Sequence, residues 1–473
     1  MIFRVENLGP LREAEVDLSK SLIVLTGPNN SGKTYLAWSV YGLHRFSPRA
    51  NDVCWRWARA LVTSPDHAID LEELFQEDGK ELCEAVVANF LPHLHACFAA
   101  EASQFAGARL ALVPTGNFYD LAKIPAYSSV TFHLAAGERR RFTLTLHPGT
   151  SSSRARLHLS VLDAATDVPA GDEPPPTPTV DAAAEEHSRV ESDIQCTNKL
   201  ITPSVYRALL STCIAFPAER IAVDIFSKEL EINRSELVDQ IMELNPQTTD
   251  EAPAELLRTK TGRYGWPVRD SIRVANDLKN ISKVTGRFSD LAEELEKTVL
   301  GGKISVSRYG GMVFSPFTAP EQQLAIHLSA SVVKSLASLV FYLRHLAGKG
   351  DFLIIDEPEQ NLHPDNQRKV TQILAKAVRR GFKIMMSTHS DYIVRELDHL
   401  IMLSKLSAEE VAELGYDPAC ALAPEQVGVY LFNDNTAHIV AVEETGFSVA
   451  TIDAEDKKLN ETSQRLYGKL WGE

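Results

Sequence analysis

Gly27-Pro28-Asn29-Asn30-Ser31-Gly32-Lys33-Thr34 constrains this chain more than any other stretch. It matches G-x-x-x-x-G-K-[ST], and it stands between the apolar run Leu22-Ile23-Val24-Leu25 and a helical pattern from about Gly32. The apolar run suits a buried central strand. The glycines let the backbone curl around phosphate oxygens, and the turn's N–H groups and the helix N-terminus face the anion. Lys33 is expected to reach the β- and γ-phosphates of a nucleotide, and Thr34 to ligate Mg2+.

Phe352-Leu353-Ile354-Ile355-Asp356-Glu357 supplies the complementary chemistry, an apolar strand ending in two carboxylates. Asp356 is expected to hold Mg2+ through water, and Glu357 to orient and polarise the attacking water. A solvated acidic turn is the plain alternative, and the phosphate loop elsewhere in the chain weighs against it. From residue 327 the pattern runs helix, strand, helix, strand Lys383 to Ser387, helix, which is parallel α/β architecture.

Asp356-Glu357-Pro358-Glu359-Gln360-Asn361-Leu362-His363-Pro364 resembles the Walker B and D-loop segment of ABC ATPases, in the variants of SMC, RecF and overcoming-lysogenization-defect (OLD) proteins. Ser387-Thr388-His389-Ser390 resembles their H-loop. The resemblance implies that His389 contacts the γ-phosphate and Glu357; a satisfied histidine at a strand end is the alternative. Leu328-Ser329-Ala330-Ser331 is similar to the ABC signature, with Ala and Ser where glycines are usual. By that likeness Ser329 or Ser331 grips the γ-phosphate held by an opposite protomer; alternatively Ser329 is a helix N-cap. Pro217-Ala218-Glu219-Arg220 resembles a turn of OLD-like defence ATPases. Arg220 either lies near nucleotide and transmits its state, or forms a structural salt bridge under the turn.

The fold implied is an α/β P-loop ABC-ATPase head with a mixed sheet, a helical insertion and a small antiparallel β-subdomain. Its cofactors would be ATP and Mg2+, and its working form a head-to-tail dimer or higher homo-oligomer. The likeness covers roughly residues 1–45, 212–222 and 300–445. The head is expected at 1–48, 203–222 and 300–445. A helical and small β insertion is expected at 49–161, with strands Val130 to Leu134, Phe142 to Leu146 and Leu157 to Val161. Residues 162–195 read as a disordered acidic Pro-rich linker around Glu173 to Pro178, 223–299 as a second helical insertion, and 446–473 as a C-terminal extension.

The net charge of −15 over 473 residues excludes a uniformly basic nucleic-acid coat. Arg139-Arg140-Arg141, with Arg154 and Arg156, forms a local basic cluster that meets DNA phosphates or is a solvated strand face; the acidity favours the second. His93, His95 and Cys97 alternate on a helical segment and so diverge, which disfavours a metal site. Six unpatterned cysteines suit a reducing cytoplasm. No run of 18 apolar residues offers a membrane span, and Met1 to Asn7 reads as a strand rather than a signal peptide.

After His389 only 84 residues remain, too few for the Toprim nuclease that OLD proteins append. The implied output is therefore a separate effector, a nuclease or toxin, as for the stand-alone ATPase subunits of PARIS and Septu antiphage systems. A DNA repair or chromosome ATPase of RecF or SMC kind is the alternative. A transporter subunit fits poorly, because nearly 300 residues separate Thr34 from Leu328.

Overall fold

Leu22–Thr26 is buried along its whole length, as its unbroken apolar run requires. It lies inside a nine-stranded sheet. The order is Arg109–Val113, Ile2–Leu8, Leu11–Asp17, Thr436–Val440, Val427–Asn433, Leu22–Thr26, Lys383–Ser387, Phe352–Asp356, Cys213–Phe216. The last five strands pair parallel, while Val427–Asn433 and Thr436–Val440 form an antiparallel hairpin. Asp434 and Asn435 both take positive φ at its tip, the conformation a two-residue hairpin favours. The sheet is therefore mixed, as expected. The computed structural model describes residues 1–46, 51–116, 118–133, 139–147, 155–164, 182–227 and 264–471.

Register fixes the geometry at one end of this sheet. Leu25 stands opposite Ser387, and Ser387 opposite Asp356. The carboxyl ends of three neighbouring parallel strands thus converge where open α/β sheets bind ligands.

The chain divides into two compact units. One comprises residues 3–43, 92–110 and 213–473. In its main core, Leu22, Val24, Leu353, Ile355, Ile384 and Met386 of the sheet pack with Val333, Leu336 and Val340 of helix Ser331–His345 and Ile373 and Leu374 of helix Pro364–Arg379. Leu278, Phe288, Leu291, Leu295 and Leu300 belong to the same core. The segment 223–299, expected as an insertion apart from the head, therefore contributes to the head's own core over 278–300. Over that stretch the helices are short, Leu278–Ile281 and Ser289–Leu295, so their apolar spacing did not show which core they join. Residues 228–263 of that segment lie outside the described residues. A small sheet of Gly302–Val306, Met312–Pro316 and Leu324–Ala325 contains a hairpin that turns around Gly310. The C-terminal extension is a helix, Ala450–Trp471.

The other unit comprises residues 1–2, 44–91 and 111–212. Its four-stranded sheet runs Ala68–Asp70, Arg156–Ala164, Arg139–His147, Tyr127–His133, all antiparallel. Helix Asp52–Thr63 is capped by the Asn51 side chain, and helix Leu71–Phe90 by that of Asp70. The expected linker 162–195 is corrected here. Residues 162–164 end a strand, and helix Ala182–Leu209 begins well before 195. Ile194, Leu200, Ile201 and Val205 are buried at helical spacing, so this helix has the apolar stripe that a linker lacks. Pro203 inside the helix and the Pro-rich stretch upstream masked that stripe. Residues 165–181, with Glu173 to Pro178, lie outside the described residues.

The basic cluster is also resolved in part. Arg140 is buried and ion-paired with Asp193 at 2.8 Å, as strand alternation directs, and Arg156 pairs with Asp66 at 3.3 Å. Arg154 lies outside the described residues.

Candidate nucleotide site

The Gly27–Thr34 turn owes its shape to left-handed residues. Gly27, Asn30 and Gly32 have φ of 130°, 61° and 97°. A Cβ on Gly27 would lie 2.1 Å from the Phe432 carbonyl oxygen, in the neighbouring strand, so only glycine fits there. Helix Lys33–Arg45 starts inside the motif, which aims its free N–H groups into the turn.

Lys33 is buried, and its ammonium donates to the carbonyls of Gly27 at 3.0 Å and Pro28 at 2.7 Å and to Ser31 Oγ at 3.3 Å. The lysine thus bridges its own loop. Burial pushes its pKa down to about 8, against the pull of the Asp356, Glu357 and Glu359 carboxylates.

Thr34, one residue on, donates its hydroxyl to Asp356 Oδ2 at 3.2 Å, joining positions 322 residues apart. Ser387 donates its hydroxyl to Asp356 Oδ1. Two hard oxygen ligands beside a lysine and a turn of backbone amides suit a divalent cation and a polyphosphate. Thr34 and Asp356 are the pair that would hold the cation. Glu357 follows at φ 49°, unusual for a non-glycine residue, with its N–H donated to Ser387 O and Oγ, both 3.2 Å away.

Glu359 connects this acidic turn to the next loop. Its Oε1 accepts from the Thr388 hydroxyl and the His389 N–H, each at 2.8 Å, while its Oε2 is buried with no hydrogen-bond partner. Burial raises the Glu359 pKa. The His389 ring is exposed. Partial desolvation and the charge of Lys33 lower its pKa. Lys33, Thr34, Asp356, Glu357 and His389 are thus brought to one sheet end.

In the signature segment the N-cap alternative for Ser329 is corrected. Helix Ser331–His345 is preceded by Ala330 as N-cap, so Ser329 is not the cap. Ser329 is buried, and its hydroxyl reaches the Ala325 carbonyl at 3.4 Å. Ser331 opens the helix and is exposed.

Arg220 makes backbone contacts at the Asp356–Glu357 turn rather than a salt bridge among the described residues. It is buried and donates to four carbonyls, those of Ser335, Pro217, Asp356 and Glu357. The unexpected participants are Ser387, Glu359 and Ser335. Ser387 and Glu359 stood within quoted motifs, yet only the pairing of their strands reveals their roles.

Residues 185–394 match the family model described as AAA ATPase domain. That span contains Arg220, Asp356, Glu357 and His389, and it excludes the phosphate loop. A 78-residue stretch is 33% identical to the cell division ATP-binding protein FtsE of Streptococcus pneumoniae, covering 16% of this chain and 34% of that protein. A 108-residue stretch is 32% identical to a probable metal transport system ATP-binding protein of Chlamydia trachomatis, covering 20% of this chain and 44% of that protein. The chain therefore spans between a third and a half of these curated relatives. Among solved structures it is similar to the Smc head domain with an extended coiled coil bound to the C-terminal domain of ScpA from Pyrococcus furiosus, with TM-score 0.31, 13% identity and 98% of each chain covered. It is also similar to the SMC head domain from Thermotoga maritima, with TM-score 0.27, 10% identity, and 93% of this chain and 98% of that one covered. The α/β P-loop ATPase fold rests on the sheet order and loop geometry above.

Proposed function

We propose that this chain hydrolyses ATP as a Mg2+-dependent switch, working head to tail with a second copy of itself. The observation that carries the reading is the 3.2 Å hydrogen bond from Thr34 to Asp356, with Lys33 buried beside it. The turn amides and Lys33 bind the β- and γ-phosphates. Thr34 and Asp356 hold the Mg2+, which neutralises phosphate charge when bound. Glu357 orients a water for attack on the γ-phosphorus and takes up its proton, and His389 steadies the γ-phosphate. The γ-phosphorus–oxygen bond breaks, releasing ADP and phosphate.

Ser331 of the second copy completes the site in this reading, since it is exposed at the start of a 15-residue helix whose N-terminus favours anions. Ser329 is less suited, with its hydroxyl turned onto Ala325. Release of the closed dimer after hydrolysis gives a two-state element.

On the likeness of residues 356–364 and 217–220 to OLD-like ATPases, we assign the output to a bacterial antiphage system, in which the switch controls a separate nuclease or toxin. Action on DNA is the second reading. The pairing of Arg140 with Asp193 and Arg156 with Asp66 reduces the basic cluster it would need. We assign the protein to the cytoplasm: six free cysteines suit it, and among the described residues no helix is long and apolar enough to cross a membrane.

Glu357→Gln tests the chemistry. Turnover is expected to fall by about 10²-fold or more, with ATP retained and a dimer accumulating in light-scattering chromatography. Unchanged turnover would overturn the assignment. ATPase assays with and without DNA at two salt concentrations, and mass spectrometry of co-purified proteins, separate the two readings of output.

A further inference from the structure

The Pro217–Arg220 turn carries a buried guanidinium that the nucleotide chemistry does not use. Arg220 Nη1 donates to the Asp356 carbonyl at 2.7 Å and to its own turn at Pro217 O, 3.2 Å. Nη2 donates to the Glu357 carbonyl at 2.8 Å, and Nε to the Ser335 carbonyl at 3.0 Å. One planar group thus ties together the carboxylate-bearing end of strand Phe352–Asp356 and helix Ser331–His345. Only a guanidinium spreads donors rigidly enough to meet carbonyls in these separate directions.

The residue it holds is the one whose backbone most needs holding. Glu357 has φ 49°, a conformation that persists in a glutamate only where the surroundings impose it. Ser387 holds its N–H from one side, and Arg220 its carbonyl from the other. Ser335 reinforces the link, because its buried hydroxyl accepts from Asn361 Nδ2 at 3.4 Å while its carbonyl takes Arg220. The helix that begins at Ser331 is therefore attached near both ends of the 357–361 turn. Asp224, half-buried four residues beyond Arg220, has its pKa raised to about 7 by burial, against the pull of the Arg220 charge.

We propose that Arg220 is a positioning residue: it fixes the left-handed peptide of Glu357 in its water-orienting geometry and makes that geometry depend on the seating of helix Ser331–His345. The proposal rests on the ATPase reading above. It gives Arg220 no contact with nucleotide, so its loss should spare binding and reduce turnover.

The test uses the full chain carrying Arg220→Lys, Arg220→Gln or Arg220→Ala. Fluorescent ATP-analogue titration reads binding, steady-state kinetics read turnover, and circular dichroism reads folding. In the folded Lys and Gln variants, kcat is expected to fall roughly 10- to 100-fold, as a misplaced catalytic group does, with Kd within about twofold of the parent, as expected when a group acts only on the transition state. Millimolar guanidinium should restore part of the Arg220→Ala rate, and methylammonium should not. Turnover near the parent value in Lys and Gln variants overturns the proposal. So does loss of turnover matched by loss of binding without guanidinium rescue. If no variant folds, Arg220 is a folding residue and the proposal falls. Glu357→Gln is assayed in parallel. Should it leave turnover intact, the ATPase reading itself fails; should it abolish turnover while Arg220→Lys does not, only the positioning role fails.

Discussion

Raising the pH from 7 to 9 should weaken ATP binding through one group, Lys33. Burial lowers its pKa from 10.5 to about 8 in the free protein. About nine-tenths of the molecules then carry the ammonium at pH 7, and about one-tenth at pH 9. A triphosphate selects the charged form and raises its pKa. The dissociation constant should therefore rise about tenfold over this interval, equivalent to about 1.4 kcal/mol. Binding at pH 8.5 should take up about three-quarters of a proton, against about one-tenth at pH 7. Desolvation shifts His389 downward, away from this window. Calorimetric titration in buffers of different ionisation enthalpy measures the uptake directly. Lys33→Arg is the control, since a guanidinium keeps its charge and should abolish the pH dependence. A dissociation constant flat from pH 7 to 9, with no proton uptake at pH 8.5, would refute the claim that the buried ammonium meets the phosphates.

Two further perturbations probe the frame around this lysine. Gly27→Ala places a methyl 2.1 Å from the Phe432 carbonyl oxygen at φ 130°; urea unfolding should show a loss of at least about 2 kcal/mol, and a loss near zero would contradict the loop geometry. Glu359→Ala removes the acceptor shared by the Thr388 hydroxyl and the His389 N–H; kcat should fall by about tenfold or more, and Glu359→Gln, which keeps a carbonyl acceptor, should retain more activity. Equal rates in the two variants would show that the carboxyl oxygen does not seat the His389 loop.

The parts of the site that sequence revealed are those with local rules. A glycine-rich turn between an apolar run and a helix has one chemical use, and so Lys33 and Thr34 were legible. Strand Lys383–Ser387 matched its expected bounds because buried parallel strands read as unbroken apolar runs. What sequence withheld depends on pairing. Ser387 reads as a neutral polar residue until register sets it opposite Asp356. Arg220 reads as a nucleotide neighbour or a salt-bridge partner until the turn folds beneath Ser335 and Glu357, where it meets backbone carbonyls. Helix Ala182–Leu209 was missed for a different reason: composition was weighed over periodicity, and proline with Ala/Glu-rich sequence outweighed a stripe of buried Ile and Leu.

The site's precision therefore resides in the hydrophobic strands rather than in the motifs. Side chains alternate with period two, so a one-residue slip of Lys383–Ser387 against its neighbours would turn Ser387 to the opposite face. That slip would remove a donor from Asp356 and an acceptor from the Glu357 N–H together. It would also move Met386 from the face where it is buried with Val24 and Ile355 to the opposite face, where Ile23, Ile354 and Met385 are already packed. Mismatched side chains on a packed face cost roughly 1–3 kcal/mol, so the register that the core prefers is the one that aligns the carboxylates. Packing and chemistry thus select the same pairing, and an apolar run carrying no reactive group decides where the reactive groups meet.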